Sequence, residues 1–185
     1  MARTTSKFLR LSLWLTATFV MLSIFAFAPG EAQATASYVD MGARIAIPSI
    51  GVDAPIVQIG IRAFPSGEVT WDTTRLTSQV GYLEGLSWFG EGGNIVLGAH
   101  SELANRVPTV FYELDEVAVG DQITITQADT TWTYEVTAIR QVDFRDLSIL
   151  YPTRSEQLTL MTCTPESLAG GVYNRRTVII AEPVN

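Results

Sequence analysis

The longest apolar stretch of the chain lies near its beginning. Leu11 to Ala28, "LSLWLTATFVMLSIFAFA", runs eighteen residues without a charge behind the basic start "MARTTSKFLR". It has no polar face, unlike the stripe of a helix that packs on a soluble core. The next residues close on Ala32-Gln33-Ala34, a small-x-small pattern. Residues 1–34 therefore read as a cleaved signal peptide or an uncleaved signal anchor. As an anchor, residues 9–28 form a hydrophobic helix, with the positive flank in the cytoplasm and everything after it outside.

Beyond a spacer at 35–43 the pattern changes to short runs with a period of two, over one domain at 44–185. "ARIAIPSIGVDAPIVQIG" gives two strand-like runs split at Gly51 and Asp53, with Ile45, Ile47 and Ile50 on one face. Pro48 predicts an edge or a bulge for the first run. A turn at Pro65-Ser66-Gly67 precedes a short strand, and the glycine-rich "VGYLEGLSWFGEGG" reads as loop. "NIVLGAH" is a strand ending at His100, and "TVFYELDEVAVGD" a short helical turn. "QITITQADTTWTYEVTAIRQV" carries the clearest hairpin: Ile123 and Ile125 alternate with threonines, and Tyr134, Val136 and Ala138 alternate on the return. "LSILYPTRSEQ" is a short helix or loop, followed by strands "LTLMTC" and "RRTVIIAEPV". Seven or eight short strands separated by turns predict a mainly β fold, a barrel or sandwich with short helices.

Charge and composition then remove several function classes. Net charge is −7, and residues 1–34 hold three basic side chains and one acidic, so the domain carries nine basic and 18 acidic groups. An acidic domain without a basic stripe argues against nucleic-acid binding. Lys7 is the only lysine, which excludes a lysine nucleophile in the domain. One cysteine excludes an intrachain disulfide and a cysteine-rich zinc site, and one histidine argues against a histidine-built metal centre. No cofactor is expected. Glu102, Glu113, Asp115 and Glu116 show no calcium-ligand spacing, which leaves calcium dependence open.

Three side chains stand at strand ends: His100 closes "NIVLGAH", Cys163 closes "LTLMTC", and Arg176 opens "RTVIIA". Strand ends can direct side chains into a shared cleft at a barrel mouth. A thiolate can attack a carbonyl, an imidazolium can protonate the departing amine, and a guanidinium can hold the developing oxyanion. The bland readings are a buried cysteine serving as a small hydrophobe, a histidine as polar tip, and a solvated arginine. Arg175 and Arg176 are adjacent, but Arg176 shares a strand face with Val178 and Ile180, while Arg175 shares one with Thr177 and Ile179. Trp71, Trp88 and Trp132 suit a groove or core packing, core being the stronger reading.

"LTLMTCTP" closely resembles the TLxTC motif of the sortases, the cysteine transpeptidases of bacterial cell surfaces. "RIAIPSIGVDAPI", "GNIVLGAHS", "FYELDEVAVGDQITI" and "RRTVIIAEPV" resemble further sortase segments in the same order, so the resemblance spans about residues 44–184. It implies a closed sortase-type barrel of about eight strands. It also implies Cys163 as nucleophile, His100 as general acid/base and Arg176 as the oxyanion or substrate-stabilising group, with Thr162 and Arg175 as supporting candidates.

The implied reaction cleaves a Leu-Pro-x-Thr-Gly-like sorting signal of a secreted protein between threonine and glycine. The thioacyl enzyme is then passed to an amine of a peptidoglycan precursor or a pilin. An apolar Leu-Pro docking site is expected from the "NIVLGA" and "TVIIA" strands. The implied location is the extracellular face of the bacterial cytoplasmic membrane. The short spacer leaves no room for an N-terminal lid, and residues 142–157 are too few for a long extra helix, so a minimal form is expected, its subclass open.

Three other readings stay in view. An L,D-transpeptidase would want a histidine close before its cysteine, whereas His100 lies far upstream of Cys163. A degenerate, non-catalytic barrel would bind without chemistry. A hydrolytic cysteine peptidase would use water as acceptor.

Overall fold

The computed structural model describes residues 38–184. The segment read as signal or anchor, with residues 9–28, lies outside the described residues. Among the described residues no helix is long and apolar enough to cross a membrane.

The domain is built from twelve strands: β1 Tyr38–Ile47, β2 Val52–Ile59, β3 Ile61–Ala63, β4 Val69–Trp71, β5 Val80–Leu83, β6 Asn94–Gly98, β7 Gln122–Gln127, β8 Thr130–Asp143, β9 Gln157–Cys163, β10 Leu168–Ala169, β11 Val172–Tyr173 and β12 Arg175–Pro183. Eight of them close a barrel in the order β1-β2-β5-β6-β9-β12-β8-β7. The pairs β2–β5 and β6–β9 are parallel, and the other neighbours are antiparallel. Two small hairpins, β3–β4 and β10–β11, stand outside it. Short 3-10 turns at Leu114–Glu116 and Leu147–Leu150 are the helical turn and the short helix expected in those two segments.

Alternation explains the outer strands. Ile45 and Ile47 of β1, Ile123 and Ile125 of β7, and Tyr134 and Val136 of β8 are buried in the barrel core with Phe111, Ile95, Leu97, Leu158, Leu160 and Ile179. β5 and β6 instead are buried along their whole length. Their second face is covered by a separate cluster of Ile59, Leu76, Leu83 and Val96, joined by Trp71, Leu150 and Met161. A strand covered on both faces reads as a continuous apolar run. That outer cluster carries the functional site.

Three local expectations differ from the structure. Residues 38–43, read as spacer, belong to β1. Pro48 marks no edge, because β1 pairs with both β2 and β7, and the bulge in β1 lies at Asp40–Ala43, away from the proline. The proline opens a 3-10 turn at Pro48–Ile50, just past the last strand pair Ile47↔Val52, where a missing N–H costs nothing. "VGYL", read as loop, is strand β5.

Candidate active site

Register alone gathers the three candidate side chains. Arg176 of β12 lies directly opposite Cys163 of β9. On the other side, Gly98 of β6 is level with Met161 in a parallel pair, and the Ala99 amide still donates to the Met161 carbonyl. Two residues further along each chain come His100 and Cys163. Arginine and cysteine thus pair within the sheet, and the histidine, two residues beyond the end of β6, continues their row from the neighbouring strand.

Strand parity sets which face they use. Leu158 and Leu160 point into the barrel core, as do Ile179 and Ala181. Cys163 and Arg176 fall on the opposite parity and face outward. The row therefore opens on the outer wall of the barrel, not into its mouth as strand ends alone suggested. Arg176 Nη1 donates to Cys163 Sγ at 2.8 Å. Arg175 turns the other way, to the surface, where Nη1 donates to Gln141 Oε1 at 3.3 Å.

The row forms one side of a cleft of about 420 Å³ that includes His100, Thr162, Cys163 and Arg176. Its apolar lining comes from Ile59, Leu83, Gly98, Ala99 and Met161, with Phe64 and Trp71 supplied by the β3–β4 hairpin and its turn. Part of the lining differs from expectation. Gly98 and Ala99 come from the "NIVLGA" segment as expected, but β12 contributes only Arg176, while its Ile179 and Ala181 face the core. Trp71 lines the cleft, whereas Trp88 and Trp132 pack against the core.

Thr162, of inward parity, is buried, and its hydroxyl donates to the Ala99 carbonyl at 2.9 Å. It pins the two strand ends that carry His100 and Cys163. Thr164, just beyond, shares a buried hydrogen bond of 3.0 Å with Thr177 and closes the β9–β12 end.

Burial pushes the Cys163 thiol above its ordinary value, the Arg176 guanidinium pulls it down, and the Glu102 carboxylate pushes it up. The net effect disfavours the thiolate, and Arg176 is the one group of the three that favours it. Glu102 is buried two residues past His100. It accepts from the Tyr173 hydroxyl of β11 and pairs with Arg106 Nη1 at 2.7 Å. The bond ties the loop after the cysteine to the loop after the histidine. Sequence reading placed Glu102 only among scattered acids, since nothing local marks its partner 71 residues away. Among the described residues no group of three or more histidine, cysteine, aspartate or glutamate side chains stands together as metal ligands.

Glu102→Gln removes a cause that raises the thiol. Alkylation of Cys163 at neutral pH is expected to run a few-fold faster, with its pH profile displaced to lower pH. Tyr173→Phe breaks the same hydrogen bond while keeping the carboxylate, so it should not reproduce that displacement. Iodoacetamide rates across a pH series on both variants test this directly.

The barrel is that of a known class. Sortase A from Corynebacterium diphtheriae superposes with a TM-score of 0.63 at 33% identity, over 82% of this chain and 63% of that one. Sortase C1 from Streptococcus agalactiae gives a TM-score of 0.61 at 31% identity, over 79% and 68% of the two chains. The sortase domain profile matches residues 45–184. The chain belongs to the sortase family. Among curated relatives, sortase D of Bacillus subtilis (strain 168) is 31% identical over 130 residues, which are 70% of this chain and 57% of that protein. The chain thus spans little more than half the length of that relative. Sortases as a family are cysteine transpeptidases of the bacterial cell surface.

Proposed function

We propose that this chain is a sortase-type transpeptidase acting on a Leu-Pro-x-Thr-Gly-like sorting signal. One observation carries the reading: Cys163, His100 and Arg176 share one cleft, with the Arg176 guanidinium on the Cys163 sulfur at 2.8 Å. In this reading the Cys163 thiolate attacks the threonine carbonyl and Arg176 holds the oxyanion that develops there. As the tetrahedral intermediate collapses, the carbon–nitrogen bond to glycine breaks and His100 protonates the leaving amine. The thioester keeps the acyl group activated. An incoming amine, from a peptidoglycan precursor or a pilin, then attacks it as His100 takes the proton and Cys163 leaves. The apolar cleft lining suits the Leu-Pro portion of such a signal, and the enzyme works outside the cytoplasm, tethered through residues 9–28 if that segment is uncleaved. No cofactor enters these steps.

The test incubates the full-length protein with a panel of Leu-Pro-x-Thr-Gly-like peptides and amine acceptors, with products read by mass spectrometry. Cleavage after threonine together with ligated product is expected. Cleavage that never yields ligation with any amine would instead assign a hydrolytic peptidase. No turnover and an unreactive thiol in a folded protein would assign a non-catalytic binding barrel.

A further inference from the structure

His100 Nε2 lies 2.9 Å from the Thr73 carbonyl oxygen. A carbonyl oxygen can only accept, so Nε2 must carry a proton whenever this contact is made. The proton stays there in both the neutral and the cationic ring, and Nδ1 is the nitrogen left to gain and lose one. Which nitrogen works is therefore decided by where the Thr73 carbonyl is held.

The residue before it holds it. Asp72 is buried, with 2% of its surface exposed, an unusual place for a carboxylate unless it is partnered. Its side chain accepts from the Thr74 amide at 3.0 Å, from the Thr74 hydroxyl, and from Arg62 Nη1 at 3.0 Å. Its amide donates to the Gly60 carbonyl at 3.0 Å, and its own carbonyl accepts from the Tyr38 hydroxyl at 2.7 Å. That hydroxyl also accepts from the Arg75 amide at 2.9 Å. The Thr73 carbonyl is further fixed by the Leu76 amide at 3.0 Å. Residues 72–76 are thus bonded on both sides of the one oxygen that meets the histidine. Burial opposes ionisation of Asp72, but the Thr74 and Arg62 hydrogen bonds together outweigh it and hold the carboxyl below its usual range. So the hub stays charged and bonded.

We infer that Asp72 is a positioning residue for His100: it presents the Thr73 carbonyl to Nε2, fixes the Nε2–H tautomer, and leaves Nδ1 as the nitrogen that exchanges protons in the cleft. The inference rests on the proposed role of His100 only for its catalytic consequence. The tautomer itself is independent of any substrate. In acylation the Nδ1 proton passes to the leaving amine, giving the neutral ring with its proton on Nε2. In deacylation the incoming amine returns a proton to Nδ1. No proton leaves Nε2 in either half.

His100 is the only histidine in the sequence, so histidine-labelled full-length protein shows a single imidazole. Nitrogen-15 correlation spectra of the neutral ring are expected to show a protonated Nε2 and an unprotonated Nδ1. Asp72→Ala should mix the two tautomers and lower kcat on the order of tenfold with little change in KM, as small misplacements of catalytic groups do. Asp72→Asn, which keeps an acceptor for Thr74, should restore most of both. An Nδ1–H ring in the unsubstituted protein overturns the inference. So does a folded Asp72→Ala variant with the original tautomer and kcat. If Asp72→Ala does not fold, Thr74→Val takes its place with the same two readings. A chain that turns over no peptide would defeat the proposed function and still show the tautomer.

Discussion

Cys163→Ala is expected to leave a folded barrel with no covalent adduct and no ligated product. The fall in kcat should be on the order of 10⁴-fold or more, as when other acyl-transfer enzymes lose their nucleophile. The structure gives a reason to expect folding to survive. Cys163 is only partly buried and faces the cleft, so truncation removes one sulfur from the cleft wall and opens no core cavity. Its neighbours Thr162 and Thr164 keep their own hydrogen bonds. Unchanged thermal unfolding beside abolished turnover separates lost chemistry from lost structure. Retained turnover in this variant would remove the thiol from the reaction.

Arg176→Ala should be the second largest loss, about 10²- to 10³-fold in kcat, or about 2.7–4 kcal/mol, the range seen when an oxyanion donor is removed. Two separate effects point the same way. The guanidinium is aimed at the sulfur, so it is also beside the carbon that the sulfur attacks. It is moreover the group that lowers the thiol against burial, so its removal leaves a smaller thiolate fraction at neutral pH. Alkylation of Cys163 should therefore slow in Arg176→Ala, although iodoacetamide needs no oxyanion donor. Arg176→Lys keeps a charge but loses the planar fork, so it should recover alkylation better than turnover. Arg175→Ala is the internal control. Its guanidinium meets Gln141 on the surface, and the change should cost little in either assay.

Much of the fold was legible because burial on one face writes itself as alternation. Ile123 and Ile125 against Thr124 and Thr126 identify β7, and the alternating return of β8 follows from the same pattern. Where burial is two-sided the alternation vanishes: β6 still shows as an apolar run, whereas β5 is masked by its glycine. Its Gly81 looks like loop punctuation, yet an added Cβ there would sit 2.9 Å from Ile59 Cδ1 and 3.0 Å from Leu76 Cδ1. The glycine marks close packing within a sheet, not a turn. The start of β1 was hidden similarly. Asp40-Met41-Gly42 looks like a spacer but forms a bulge, with Gly42 at φ 60° and its amide on Asp40 Oδ1 at 2.9 Å.

The site divides along the same line. His100, Cys163 and Arg176 could be picked out because each is rare or punctuates a strand end. Their common row could not, because it depends on the parallel register of β6 on β9. The supporting groups left weaker traces. "WDTTR" contains an aspartate two residues before the threonine amide it accepts from, a local turn signature that does not reveal the histidine beyond it. The Glu102–Tyr173 bond joins segments far apart in sequence and has no local trace.

The central claim is that Cys163 forms a thioester with the threonine end of a cleaved peptide. Intact-protein mass spectrometry of the full chain, quenched in acid during turnover, tests it most directly. The account predicts a mass increase equal to the peptide truncated after threonine, mapped to Cys163 and discharged by hydroxylamine or an amine. Turnover of the same peptide with the adduct on any other residue, or with no acyl-enzyme that hydroxylamine can intercept, would contradict it.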